Sequence, residues 1–132
     1  MRNSLKVLIV SVLLSGCTTA EELEYEQYLV NGEILYKEQC ANCHGEKGEG
    51  LRNLYPALEG NAVLSNSSRV ICLIKNGIRA DQAQSKQAMP PNPELFDLDI
   101  AQLVTFLKDK YAGKPQKVTA KEVKEILTDC AP

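Results

Sequence analysis

Cys40-Ala41-Asn42-Cys43-His44 sets two thiols three residues apart and an imidazole directly after the second. On a helical turn, residues three apart share a face. Both sulfurs can then reach one flat ligand while the imidazole sits beneath its centre. Two thioethers and one nitrogen ligand are the chemistry of covalent haem, and Cys-x-x-Cys-His is the attachment signature of haem c. Thioether bonds prevent the group from leaving. A zinc site would need four ligands, and the chain has no second Cys or His pair. A thioredoxin-like pair needs a β-α-β setting, which the sequence lacks.

Haem iron bound by His44 has a second axial position. His44 is the only His, which excludes two-His ligation within the chain. Of the two Met, Met1 falls in the leader, so Met89 in Ala88-Met89-Pro90-Pro91 is the candidate. The adjoining prolines stiffen its loop. A thioether ligand raises the reduction potential. The alternative leaves Met89 as a loop or core residue, with the position open or taken by Lys.

The N-terminus speaks to place. Arg2 and Lys6 precede an apolar run, Val7 to Leu14, broken only by Ser11. The run is roughly eight residues, far short of the about 20 that span a bilayer. Residues 1–16 therefore read as a secretory signal peptide. Leu14-Ser15-Gly16-Cys17 resembles a bacterial lipobox. The resemblance implies cleavage before Cys17, lipid on its thiol, and an extracytoplasmic, membrane-anchored protein, on the periplasmic side. Several acyl chains on one residue anchor stably where a single chain does not. Residues 17–27, with Glu21, Glu22, Glu24 and Glu26, read as the lipidated Cys and a solvated acidic tether.

At 132 residues, 44% hydrophobic and 24% charged, the chain suits one globular domain and excludes a disordered tail or a polytopic membrane protein. Without the leader's Arg2 and Lys6, 13 basic and 17 acidic residues remain, a net charge of −4, which argues against nucleic acid as a partner. Gly45, Gly48 and Gly50 lack the Gly-Lys-Ser/Thr ending and the preceding strand of a phosphate loop, so no nucleotide is expected.

Periodicity predicts the elements that must position these groups. A first helix covers Tyr28 to Cys43, with Leu29, Gly32, Tyr36 and Cys40 on one face. A short helix through Val70, Ile71 and Ile74 is capped by Ser67 or Ser68 and stopped by Gly77. Residues 78–94 form an irregular loop. Asp97 caps a helix with Ile100, Leu103, Val104 and Leu107 inward, ended by Gly113 and Pro115. Thr119-Ala120-Lys121-Glu122 is a capping box, followed by Val123, Ile126, Leu127 and Cys130 at helical spacing. No stretch alternates with period two, so the fold is all-α. The expected domains are the leader 1–16, the tether 17–27, a haem domain 28–112 and a helical extension 113–132.

Over roughly residues 25–112 the chain resembles a small bacterial class I (mono-haem) cytochrome c. Cys-His-Gly followed by Gly48 and Gly50, then Pro56-Ala57-Leu58-Glu59-Gly60, Arg69 to Gly77 and the loop to Met89 carry the resemblance in order. It implies three main helices around one covalent haem. It implies that the Pro56 carbonyl accepts a hydrogen bond from His44 Nδ1, which would fix the ring's orientation and basicity. It further implies that Gly32 and Tyr36 cross the C-terminal helix at Phe106, where a glycine lets two backbones approach. The lipobox and residues 114–132 depart from the family.

With Cys17 assigned to lipid and Cys40 and Cys43 to haem, Cys72 and Cys130 remain. In an oxidising compartment they are expected to form a disulfide that pins the extension. Two separate thiols are the alternative. The expected function is electron transfer between redox protein partners such as an oxidase, reductase or dehydrogenase. No acid, base or nucleophile constellation accompanies the motif, so an enzyme in its own right is not expected. A haem sensor or small-ligand binder with Met89 displaced, and a peroxidase-like enzyme, both need an accessible sixth position. Lys37, Lys47, Lys75 and Lys86 are candidates for a docking patch, against the blander reading of a solvated, mixed-charge surface.

Overall fold

Thr19 opens the first helix, α1, Ala20–Gln39. Its hydroxyl accepts from Glu22 N at 3.2 Å, and the Glu22 carboxylate accepts from Thr19 N at 2.8 Å. This capping box satisfies two orphan donors at once. The computed structural model describes residues 18–130 apart from Asn53 and residues 84–86. The leader, Cys17 and Lys86 lie outside the described residues.

α1 starts earlier than the helix expected over Tyr28 to Cys43. Residues 20–27, read from sequence as a solvated acidic tether, form its first turns. Their glutamates face water, yet the segment is fastened to the body. Tyr25 Oη donates to the Asp109 carboxylate at 2.8 Å, and Lys117 Nζ pairs with Glu24 at 2.6 Å. Nor does one helix run to Cys43. Cys40 departs from helical geometry, and a single turn, α2, Ala41–His44, follows it.

A 3-10 helix covers Ala62–Ser65, and α3 covers Ser67–Asn76. Asn66, rather than Ser67 or Ser68, caps α3: its Oδ1 accepts from Arg69 N at 3.0 Å. Asn and Ser are near-equal caps, so adjacent candidates are hard to separate from sequence. α4 is Asp97–Ala112, with Phe96 in the capping position and the Asp99 carboxylate accepting from Phe96 N at 2.9 Å. The expected cap, Asp97, thus lies one residue inside the helix. α5, Ala120–Asp129, starts at the expected Thr119/Glu122 capping box. The described residues contain no sheet, only isolated bridges between Leu51 and Tyr55 and between Ile78 and Met89. The fold is all-α, as the sequence pattern predicts.

α4 is the central element. Every residue from Ile100 to Lys108 is buried. A helix enclosed on all sides must satisfy its polar side chains internally. Thr105 Oγ1 donates to Ala101 O at 2.8 Å and accepts from Val118 N at 2.9 Å. Lys108 Nζ donates to Ser67 Oγ and Gln116 Oε1, both at 2.7 Å. Burial pulls the Lys108 ammonium below its usual range. α1 crosses α4 on one side, and α5 covers another with Val123 fully buried. A disulfide joins Cys72 of α3 to Cys130, just past α5, with Cα atoms 5.5 Å apart.

Candidate functional site

The helix break at Cys40 builds the site. Cys43 N and His44 N both donate to Cys40 O, at 3.1 and 2.9 Å. The two thiols and the imidazole therefore sit on one tight turn. Cys40 and Cys43 are unbridged and half-buried. Burial pushes the Cys40 thiol up to about 11, with the neighbouring Cys43 adding to the shift. Both sulfurs are available for covalent attachment.

The loop after the motif holds the imidazole. Gly50 N donates to His44 O at 2.7 Å, and Leu58 N donates to Gly48 O at 2.8 Å. These bonds fold Pro56 back, and His44 Nδ1 lies 2.9 Å from Pro56 O. With Nδ1 facing a carbonyl, Nδ1 is the donor, which leaves Nε2 with its lone pair for a metal. Two free thiols, an oriented imidazole and a half-buried Met89 are a donor set that fits covalent haem.

Met89 is held at the other side of the chain's long loop. Met89 N donates to Ile78 O and Ile78 N to Met89 O, both at 2.8 Å. Gly77, with φ of +74°, makes the turn that permits this. A Cβ there would collide with Met89 O and lie 2.8 Å from Pro91 N, so only glycine suits the position.

The helix crossing buries Gly32 and Tyr36 on α1 and Phe106 on α4. A Cβ at Gly32 would run into Gln102 O and lie 2.5 Å from Phe106 Cβ. Tyr36 packs its ring 5.7 Å from those of both Phe106 and Tyr111. Its hydroxyl donates to Gly45 O at 2.5 Å, directly after the haem motif. Burial, then Tyr111 beside it, pushes this phenol well above its usual value. The inward face of α1 is thus Tyr28, Gly32 and Tyr36; Leu29 and Cys40 are only half-buried.

Several contacts escaped sequence reasoning. Tyr111 closes the aromatic cluster, and Lys75 and Asn92 tie the Met89 loop to α3. No local period marks these partners. Of the candidate docking lysines, Lys37 pairs with Glu33 at 2.7 Å and Lys75 is engaged by backbone carbonyls. Among the described residues no helix is long and apolar enough to cross a membrane.

Comparison with known proteins identifies the relatives of this arrangement. The family described as "Cytochrome C oxidase, cbb3-type, subunit III" matches residues 29–107. The cytochrome c subunit of the quinone alcohol dehydrogenase of Gluconacetobacter polyoxogenes is 32% identical over 110 residues, covering 78% of this chain. The corresponding Gluconobacter oxydans subunit is 30% identical over 108 residues, or 76% of the chain. The chain spans only about a quarter of the length of these subunits, 24% and 23%. Cytochrome c6 of Cyanidium caldarium is 28% identical over 104 residues, covering 79% of this chain and 91% of the relative. The match from α1 to the end of the buried stretch of α4 takes in the haem motif, the Met89 loop and the helix crossing. The chain therefore belongs to the cytochrome c family typified by subunit III of cbb3 oxidases, as a mono-haem class I cytochrome c domain that carries electrons.

Proposed function

We propose that the protein is a membrane-tethered electron carrier whose haem c is bound covalently by Cys40 and Cys43 and axially by His44 and Met89. The observation that carries this reading is the His44–Pro56 contact at 2.9 Å, on the same turn as two free thiols. When bound, the haem supplies a one-electron Fe(III)/Fe(II) couple. Cys40 and Cys43 hold it in place. Pro56 O orients the His44 ring and raises its basicity. Met89, fixed through Ile78, offers a soft sulfur that favours the reduced state. Ligation by both His44 and Met89 would leave the bound group no position for a substrate, which suits electron transfer rather than substrate chemistry.

The tether also acquires a shape. Only Thr18 and Thr19 separate Cys17 from the first turn of α1. A lipid on Cys17 would thus sit beside a rigid helix that spans about 30 Å and ends at the haem motif. The domain then stands on the membrane in a restricted orientation rather than swinging on a loose leash. Its partners are redox proteins of the oxidase, reductase or dehydrogenase kind, and the relatives' names print an oxidase and a dehydrogenase.

Optical spectra of the mature protein, oxidised and reduced, with and without carbon monoxide, test the ligation. A far-red sulfur-to-iron band in the oxidised form and indifference to carbon monoxide are expected. Ready carbon monoxide binding without that band would move the sensor and peroxidase readings ahead.

A further inference from the structure

The residues after Met89 are poor in backbone donors. Pro90, Pro91 and Pro93 have no N–H, yet the carbonyls of this segment need partners where they meet protein. The last turn of α3 provides them. Lys75 Nζ donates to Pro93 O and to Leu95 O, both at 2.9 Å. In the opposite direction, Asn92 donates through its backbone N and its Nδ2 to Ile74 O, both at 3.1 Å. Those two bonds satisfy a carbonyl that the end of α3 would otherwise leave orphaned. Together with the Ile78–Met89 pair, they lace the segment Met89–Leu95 to α3 from both sides.

Apolar packing holds this segment at its two ends, where Met89 lies against the core and Leu95 is buried. Between them, Pro90, Pro91, Pro93 and Glu94 are exposed. A lysine in the last helical turn ordinarily interacts with its own helix's final carbonyls or with water. Lys75 instead reaches across to carbonyls 18 and 20 residues further along the chain. An ammonium can give three hydrogen bonds, and two of them close this strap.

We infer that Lys75 is a positioning residue for Met89: its ammonium clamps the Pro93 and Leu95 carbonyls and so keeps the Met89 segment seated on α3. The inference rests on Met89 being an axial ligand. Lys75 touches no donor atom and acts through the backbone that carries the thioether. Loss of the clamp enlarges the fraction of molecules in which Met89 has let go. An added ligand competes only for that fraction, and its apparent affinity rises with it.

The test uses the ferric holoprotein and imidazole, with the far-red band reporting Met89. Lys75→Gln removes two charge-assisted hydrogen bonds at a partly exposed site. Imidazole should then bind about tenfold more tightly, and the reduction potential should fall. Lys75→Arg keeps a cationic donor but not the ammonium's geometry, and should fall between the parent and Lys75→Gln. Lys124→Gln, the same charge change on exposed α5, should alter neither reading. A folded Lys75→Gln protein with the parent's imidazole affinity and potential overturns the clamp while leaving ligation by Met89 intact. A parent protein that lacks the far-red band overturns the ligation and the clamp together. Should Lys75→Gln not accumulate as holoprotein, Lys75→Met, which keeps the aliphatic stem and deletes both ammonium bonds, decides by the same two readings.

Discussion

Cys72 and Cys130 are bonded to each other, so the helix leading into the Met89 loop is covalently joined to the end of the last helix. The two positions lie 58 residues apart. Closing such a loop restricts the unfolded chain by about 4 kcal/mol in the chain-entropy model. The double variant Cys72→Ser/Cys130→Ser should therefore lose about that much unfolding free energy, read by guanidinium titration of the holoprotein. It should still fold, because Val123 and Val118 remain packed against α4. A loss below about 1 kcal/mol would mean that the unfolded chain is already restricted, and that packing alone holds the extension.

Gly32 offers a second measurement. Helix propensity alone would favour Gly32→Ala by about 1 kcal/mol. The added methyl, however, meets Gln102 O, a backbone atom that cannot swing aside, and Phe106 Cβ. Overpacking costs about 1–3 kcal/mol, and contact with backbone lies at the upper end. The net expectation is a loss of about 2 kcal/mol and a lower Tm. An unchanged or raised Tm would show that α1 and α4 have room to separate.

What the sequence made legible follows from the range of each signal. The haem motif is five contiguous residues, and the capping box at Thr119 spans four, so both are local and readable. The all-α class follows from periodicity over whole segments. The start of α1 was readable too, since Thr19 and Glu22 form the same box, but the run of glutamates behind it suggested solvent. What turns that run into helix is remote: Asp109 and Lys117 reach Tyr25 and Glu24 from the far end of the chain. The contact between Pro56 and His44 closes an irregular loop that has no period, and only likeness to a family pointed to it. Lys75 carried no signal for its role, because a lysine at a helix end looks solvated until the proline segment folds back onto it.

Tyr25 ties the first turns of α1 to α4, and its hydroxyl is pushed up to about 12, first by burial and then by its hydrogen bond to Asp109. An unperturbed tyrosine titrates near 10. The folded state therefore holds this proton more tightly than the unfolded chain. Its contribution to stability is full below about pH 10 and is lost as the pH rises towards 12. Tyr25→Phe should cost about 1 kcal/mol at pH 7. The gap between variant and parent should close between pH 10 and 12. A gap that stays constant across that range would place the effect in packing rather than in the proton.

The short connection between Cys17 and α1 predicts how the protein meets its partners. Cys17→Ser should move it from the membrane fraction to the soluble fraction without changing its spectrum. On the proposed lipid anchor, the domain would share a surface with its partner and act at an effective concentration that can reach the millimolar range. Released, it must find that partner by diffusion, and turnover should become dependent on protein concentration. A flexible insert of ten Gly and Ser residues between Thr18 and Thr19 separates proximity from orientation. It retains the anchor but frees the axis of α1. If the helix orients the haem, the insert slows electron transfer to a membrane-bound acceptor although the protein stays anchored. If proximity alone matters, the insert leaves the rate unchanged and only Cys17→Ser lowers it.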